Sequence, residues 1–313
     1  MQNKTEPTVK IVSNLRPDPK HAVFIINPVS GLGDAKTRFQ IIKIAKEYGW
    51  TGKSYETTIK LSAGDIAKRE IKKGTRHLVV CGGDGTIMSV LQAVIKRDVI
   101  VGIVPLGTGN LLAQNLKVNL NIKKSINTAL HGRVHKIDLG LANGIFFAII
   151  AGIGLDAELM LNTDRKAKNK LGFMAYVIGG FKTLGHSSGL YSISVDGKKA
   201  KIYKAKSIMI ANMGRLLGGF EAVPNTRSDN GILRIGIMQA SGLLTWIDLT
   251  INILKGNINK SRHYQLLAGK NVSIVSLKGK KSFQCDGETF PATDKLNVEI
   301  YPQTLPIMIE SIN

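Results

Sequence analysis

Three times in its first half, this chain runs through the same unit: a continuous apolar stretch, a glycine-rich loop, then a helix-forming segment. The first unit is His21-Ala-Val-Phe-Ile-Ile26, then Asn27-Pro-Val-Ser-Gly-Leu-Gly33, then a helix through Lys46. The second is His77-Leu-Val-Val80, then Cys81-Gly-Gly-Asp-Gly-Thr86, then a helix through Ile95. The third is Ile100-Val-Gly-Ile-Val104, then Pro105-Leu-Gly-Thr-Gly-Asn110, then a short helix through Leu116. Apolar runs without alternation are strands buried on both faces, and their alternation with helices predicts an α/β domain with a parallel sheet. All three loops then fall at the carboxyl ends of their strands, where open α/β sheets bind ligands.

Beyond about Gly140 the pattern becomes short alternating runs: 191–195, 206–210, 232–238, 272–275 and 296–301. Turn pairs Asp196-Gly197, Asn230-Gly231 and Asp286-Gly287 punctuate them, which predicts a mainly antiparallel β-sandwich. One amphipathic helix is expected at about Leu243 to Leu254. The expected division is an α/β domain over 1–140, rejoined by 302–313, and a β-rich domain over 141–301. The most apolar stretch, Leu139 to Leu155, is shorter than the ~20 residues of a membrane-spanning helix, and Asn143 and Gly144 interrupt it. It reads as two buried strands around a turn. Residues 1–21 hold no apolar core of signal-peptide length, so export is not expected. Cys81 and Cys285 are the only cysteines and lie far apart, which points to a reducing cytosol without disulfides or zinc.

Glycines at strand-to-helix turns let backbone amides approach an anion, and the helix N-terminus adds a favourable dipole. Neither the P-loop pattern nor G-x-G-x-x-G occurs in these loops, which sets aside P-loop NTPases and ordinary dinucleotide dehydrogenases. Asp84 stands among the amides of the second loop. Its carboxylate would repel a bare polyphosphate but suits Mg²⁺ carried by a nucleotide; the other reading is a cap on a helix beginning near Thr86. The net charge of +21 favours a polyanionic partner, either nucleic acid, an anionic membrane or phosphate-rich substrates, or else serves solubility. No basic recognition helix or aromatic-bearing sheet motif stands out, which argues against nucleic acid. The six histidines show no ligand spacing.

In order and spacing, Asn27-Pro-x-Ser-Gly31, Gly82-Gly-Asp-Gly-Thr86, Pro105-Leu-Gly-Thr-Gly-Asn110, Ala151-Gly-Ile-Gly-Leu-Asp-Ala157, Lys170-Leu-Gly-x-x-x-Tyr176 and Asp286-Gly-Glu288 are collinear with the motifs of one family. The chain resembles the diacylglycerol kinase catalytic family, which includes bacterial lipid kinases and the sphingosine and ceramide kinases. The resemblance runs from about Val23 to Ile309. It implies an ATP- and Mg-dependent transfer of the γ-phosphoryl group to the hydroxyl of diacylglycerol or a related membrane lipid. Asn27, Pro28, Ser30, Gly31, Thr57 (or Thr58), Gly82, Gly83, Asp84, Gly85, Thr86, Thr108 and Asn110 would hold nucleotide. Glu288 would be the general base, Asp84 its catalytic partner at Mg·ATP, and Asp156 would meet the lipid headgroup. The family's structural Mg²⁺ loop corresponds to Asp229, Asn230 and Ile232.

Two departures accompany the match. Leu111 stands where relatives carry an aspartate, and Arg234 where the metal loop ends in an acid. The resemblance further implies a cytoplasmic enzyme, peripheral to the inner face of an anionic membrane. Lys166, Lys168, Lys170, Lys182 and the lysines of 198–206 would either face that membrane or form an ordinary solvated face. A homodimer is among the assemblies this allows. An NAD kinase shares the Gly-Gly-Asp-Gly-Thr loop and the two-domain plan but has no use for Asp286-Gly-Glu288. A non-catalytic nucleotide or lipid sensor would need no base at residue 288.

Overall fold

The computed structural model describes residues 20–154, 188–216, 221–239 and 242–311. The chain divides into two compact units, one of Met1–Gly107, Val118–Lys136 and Thr304–Asn313, the other of Thr108–Lys117 and Ile137–Gln303.

In the first unit, β1 (Val23–Ile26), β2 (Ser54–Glu56), β3 (His77–Gly82) and β4 (Ile100–Pro105) alternate with α1 (Ala35–Glu47), α2 (Ala63–Lys72) and α3 (Asp84–Val94). The chain then leaves this unit, which it re-enters before α5 (Ile122–His131). Strand order is β2-β1-β3-β4, with the last residues of β16 (Lys295–Ile309) beside β4 through Ile307 and Val101; every pair is parallel. Phe24, Ile26, Val79, Cys81 and Val104 share one core with Ile41 and Ile44 of α1 and Ile126 and Ala129 of α5. Their neighbours Val23, Ile25, Leu78 and Val80 point to the opposite face and are equally buried. Two covered faces are what an unbroken apolar run demands. Helices α1 and α2 start on side-chain caps: Asp34 accepts from the Thr37 amide, and Ser62 from that of Asp65.

Behind α5 the buried Trp50 indole N–H donates to His131 Nε2 at 2.9 Å, while His131 Nδ1 lies 3.2 Å from Asn127 Oδ1. This network assigns the neutral Nδ1–H tautomer. Burial, and then Lys20, hold the imidazole below the ordinary histidine range. The unfolded chain therefore binds this proton first as pH falls, so the site's stabilisation is whole above about pH 6.5 and is lost as pH drops through the folded pKa. Thermal midpoints should fall on acidification from about pH 7.5 to about 5.5, and less steeply in His131→Gln, whose amide oxygen accepts at either pH. Equal slopes in the two proteins would discount the Trp50 bond.

The second unit holds α4 (Leu111–Asn115), the end of β5 (Arg133–Ala142), and strands β6 (Ile145–Phe147), β7 (Ile150–Gly154), β8 (Gly189–Val195), β9 (Lys201–Ala205), β10 (Ser207–Ala211) and β11 (Leu233–Met238). Helix α6 (Leu243–Leu254) follows, then β12 (Tyr264–Gly269), β13 (Asn271–Ser276), β14 (Lys281–Cys285), β15 (Glu288–Thr293) and the first part of β16. One antiparallel sheet runs β12-β11-β10-β7-β14-β15, and β16, β13, β8 and β9 pair antiparallel in another. Tyr191, Ile193, Val272, Ile274, Leu296 and Val298 of the latter pack with Ile153, Ile208, Ile210, Ile235 and Phe283 of the former. That core between sheets is the expected sandwich. At Asn143-Gly144 and Asp286-Gly287 both residues take positive φ (45° and 88°; 48° and 87°), the hairpin turn whose twist matches its strands. The apolar stretch from Leu139 is thus strand, turn and strand. No helix among the described residues is long and apolar enough to cross a membrane.

Candidate functional site

In the order β2-β1-β3-β4 the chain leaves β1 toward one edge and β3 toward the other, so the sheet's topological switch point, where such sheets bind ligands, lies between the carboxyl ends of β1 and β3. Two of the glycine loops line it. Asn27 Nδ2 donates to Thr86 Oγ1 at 2.8 Å, and the Gly83 amide to Ser30 Oγ at 3.3 Å. Asn27 Oδ1 accepts the Val29 amide at 3.1 Å, which fixes the turn after β1. Pro28 and Ser30 are half-buried here and Gly31 is exposed. The third loop joins through backbone: the Leu106 amide donates to Gly82 O and the Leu32 amide to Leu106 O, both at 3.0 Å.

Space at the second loop is tight for Gly82 and Gly83 but not for Gly85. A Cβ on Gly82 would sit 2.7 Å from the Thr86 side chain, and one on Gly83 would lie 3.3 Å from Gly107 Cα. A Cβ on Gly85 would meet nothing, so that position stays open toward solvent. Thr57 is half-buried and anchored through its amide to Ile26 O, whereas Thr58 is exposed and its hydroxyl accepts the Leu61 amide.

Helix α3 begins earlier than the sequence suggested. Gly83 is its N-cap and Asp84 its first helical residue, so the carboxylate does not serve as the side-chain cap. It is half-exposed at the positive end of the helix dipole, flanked by glycines. One hard carboxylate oxygen beside amides of the kind that bind phosphate could hold Mg²⁺, which proteins take through one or two carboxylates together with substrate phosphates.

In the second unit, Asn110 is the buried N-cap of α4 at φ 47°, and Thr108 is exposed. Glu288 is exposed at the first position of β15, opposite Cys285. Burial, reinforced by Asp286 and Glu288, pushes the Cys285 thiol up, so it is no nucleophile. Asp286 has a role its sequence context did not reveal. Its carboxylate accepts the amides of Ala148, Ile149 and Ile150 at 2.7, 2.9 and 2.9 Å, while its own amide donates to Ile150 O at 2.9 Å. The turn that carries Glu288 is thereby tied to the start of β7.

A second carboxylate escaped sequence reasoning altogether. Asp138, fully buried, accepts the Gly231 amide at 2.6 Å and the Gln303 amide at 2.8 Å, and so braces the loop at 229–231. In that loop Asp229 pairs with Arg227 at 3.2 Å, and Asn230 Oδ1 accepts the Ile232 amide at 3.1 Å. Arg234 donates to Asn225 O at 3.1 Å. The Asp229 carboxylate thus already faces a guanidinium and the Asn230 oxygen an amide, a setting that does not favour a dication. Among the described residues no three acidic, His or Cys groups cluster as a metal site. The only signal for Asp138 was its position between Ile137 and Leu139 in the apolar second half of β5. Asp156, Tyr176 and the lysines at 166–182 lie outside the described residues.

Residues 21–142 match the diacylglycerol kinase catalytic domain, and residues 148–309 the YegS C-terminal NAD kinase beta sandwich-like domain. The chain is 28% identical over 276 residues to the diacylglycerol kinase of Bacillus subtilis, covering 86% of this chain and 90% of that protein. A diacylglycerol kinase crystal structure from Bacillus anthracis superposes with a TM-score of 0.74 at 23% identity, over 93% of this chain and 97% of the other. An NAD kinase from Archaeoglobus fulgidus in complex with ATP shares the fold at TM-score 0.51 and 11% identity, over 92% and 93% of the two chains.

Proposed function

We propose, because this chain belongs to the diacylglycerol kinase catalytic family and is a lipid kinase, that it moves the γ-phosphoryl group of ATP to the hydroxyl of diacylglycerol or a related lipid alcohol. The observation that carries the nucleotide part of this reading is the meeting of two glycine loops at the sheet's switch point, where Asn27 bonds Thr86 and Ser30 bonds Gly83. The start of α3, at 82–86, offers amide N–H groups and the helix dipole to phosphate oxygens. Asn27, Pro28, Ser30, Gly31 and Thr57 hold the nucleotide from the neighbouring strand ends, with Thr108 and Asn110 contributing from the third loop.

Phosphoryl transfer is chiefly positioning and charge neutralisation. Asp84, together with the nucleotide's phosphates, would hold Mg²⁺, which would supply charge neutralisation on the transferring group. Glu288 accepts the proton of the lipid hydroxyl, which requires its carboxylate within about 2.6–3.2 Å of that oxygen when substrate is bound. Asp156 meets the headgroup. The enzyme works at the cytoplasmic face of an anionic membrane, where its lipid substrate resides, and the +21 charge supports that location.

The direct test supplies γ-labelled ATP and Mg²⁺ with NAD, or with vesicles bearing diacylglycerol, sphingosine, ceramide, undecaprenol or phosphatidylglycerol. Label in a phosphorylated lipid is the expected result, with diacylglycerol the leading acceptor. Label appearing in NADP from NAD, and in no lipid, would replace the reading with NAD kinase. Nucleotide binding without transfer to any acceptor would make the protein a sensor.

A further inference from the structure

Helix α6 is apolar on two sides. Trp246, Leu249 and Ile253 are buried against its own unit, as an amphipathic helix requires. The opposite side carries Leu243, Leu244, Ile247, Ile251 and Leu254, which are 52, 80, 38, 44 and 52% exposed. At 100° per residue these five fall within one stripe about 100° wide, a continuous apolar strip facing solvent. The helix's one ionisable residue, Asp248, is drawn off this strip: its carboxylate accepts from Asn252 Nδ2 at 2.9 Å and from the Ser261 hydroxyl. The turn that follows is cationic, with Lys255, Lys260 and Arg262 all exposed.

We infer that α6 is an interfacial helix that seats this enzyme on an anionic phospholipid surface. This rests on the lipid-kinase reading and deepens it by naming the element that meets the bilayer. Twelve residues span about 18 Å, too short to cross the hydrocarbon core, so the helix lies in the interface with its leucines and isoleucines among acyl chains. Lys255, Lys260 and Arg262 then reach the headgroup phosphates, with their stems along the apolar boundary. A second copy of the chain suits the strip less well, since a two-fold contact would bring the same cations together from both partners.

The test uses sedimentation with vesicles of phosphatidylglycerol and phosphatidylcholine, or of phosphatidylcholine alone, without ATP. Wild type should sediment with the anionic vesicles and less at high salt. Leu244→Asp with Ile251→Asp should weaken that binding more than tenfold. The triple change Lys255→Glu, Lys260→Glu, Arg262→Glu should do likewise and abolish the salt dependence. Leu120→Asp, at an exposed leucine of the other unit, should leave binding unchanged. Thermal midpoints near wild type would show that the variants fold, and the charge variant carries the test should the aspartate pair not fold. Undiminished vesicle binding by the folded variants would overturn the inference. So would a wild-type dimer that becomes monomeric in the aspartate pair while vesicle binding persists. Because no turnover is read, vesicle binding through α6 without phosphoryl transfer in the labelled-ATP assay would sink the kinase reading alone.

Discussion

Glu288→Gln should lower kcat for lipid phosphorylation by about 10²–10⁴-fold while leaving ATP affinity at its wild-type value, because a positioned general base contributes about that factor. The substitution keeps the side chain's size and one carbonyl oxygen but removes the carboxylate proposed to take the hydroxyl proton. An exposed residue at the start of an edge strand has little structural work to lose, so the thermal midpoint should move little. The pattern therefore separates roles: kcat falls, nucleotide binding measured by calorimetry holds, and stability holds. Asp84→Asn should behave differently, with loss that partly recovers at raised Mg²⁺ if its carboxylate holds the metal. Wild-type turnover in the Glu288→Gln protein would leave proton transfer to another group or to solvent.

How far the sequence was legible depended on the range of the interactions. The glycine loops and buried strands β1, β3 and β4 were readable because each is specified within a few residues: an unbroken apolar run, then glycines that only a tight approach needs. The hairpin turns at Asn143-Gly144 and Asp286-Gly287 were readable for the same reason. Strand β2 was not, since Ser54, Tyr55 and Glu56 have no apolar run; it is recruited by pairing with β1 at the sheet's edge. Lysines of 198–206 read as a possible membrane face, yet part of that run is β9, whose Lys201 and Lys204 mark it as a charged edge strand. Helix α6 looked amphipathic because period alone cannot report an outer face left uncovered. At the candidate site, residue types were legible but partners were not. Asp84 offered two roles until Gly83 proved to be the cap, and nothing local in the sequence links Asp138 to Gly231 or Asp286 to residues 148–150.

Asp286 is where that long-range part can be measured. Three amides converge on its carboxylate, from Ala148, Ile149 and Ile150, each of which is buried. Asp286→Gly keeps the left-handed backbone at φ 48° and removes only the acceptors, so it should destabilise by about 3–5 kcal/mol, the consequence of stranding buried amides that had charged partners. Asp286→Ala strands the same amides and adds about 1 kcal/mol for a Cβ in left-handed backbone, so it should be the worse of the two. Asp286→Asn keeps one acceptor and tolerates that conformation, which predicts an intermediate loss of about 1–2 kcal/mol. Denaturant unfolding of the four proteins checks the order: wild type, Asn, Gly, Ala. Against a net stability of about 5–15 kcal/mol for a domain, the alanine variant should be visibly depleted in folded protein. Since Glu288 stands two residues beyond, the Asn variant should also lose turnover by less than Glu288→Gln does, a positioning effect rather than removal of the base. If Gly proved as stable as wild type, the three amides would have solvent or other protein groups as alternative partners, and the turn would be held by the backbone bond from residue 286 to Ile150 O and the β14–β15 pairing.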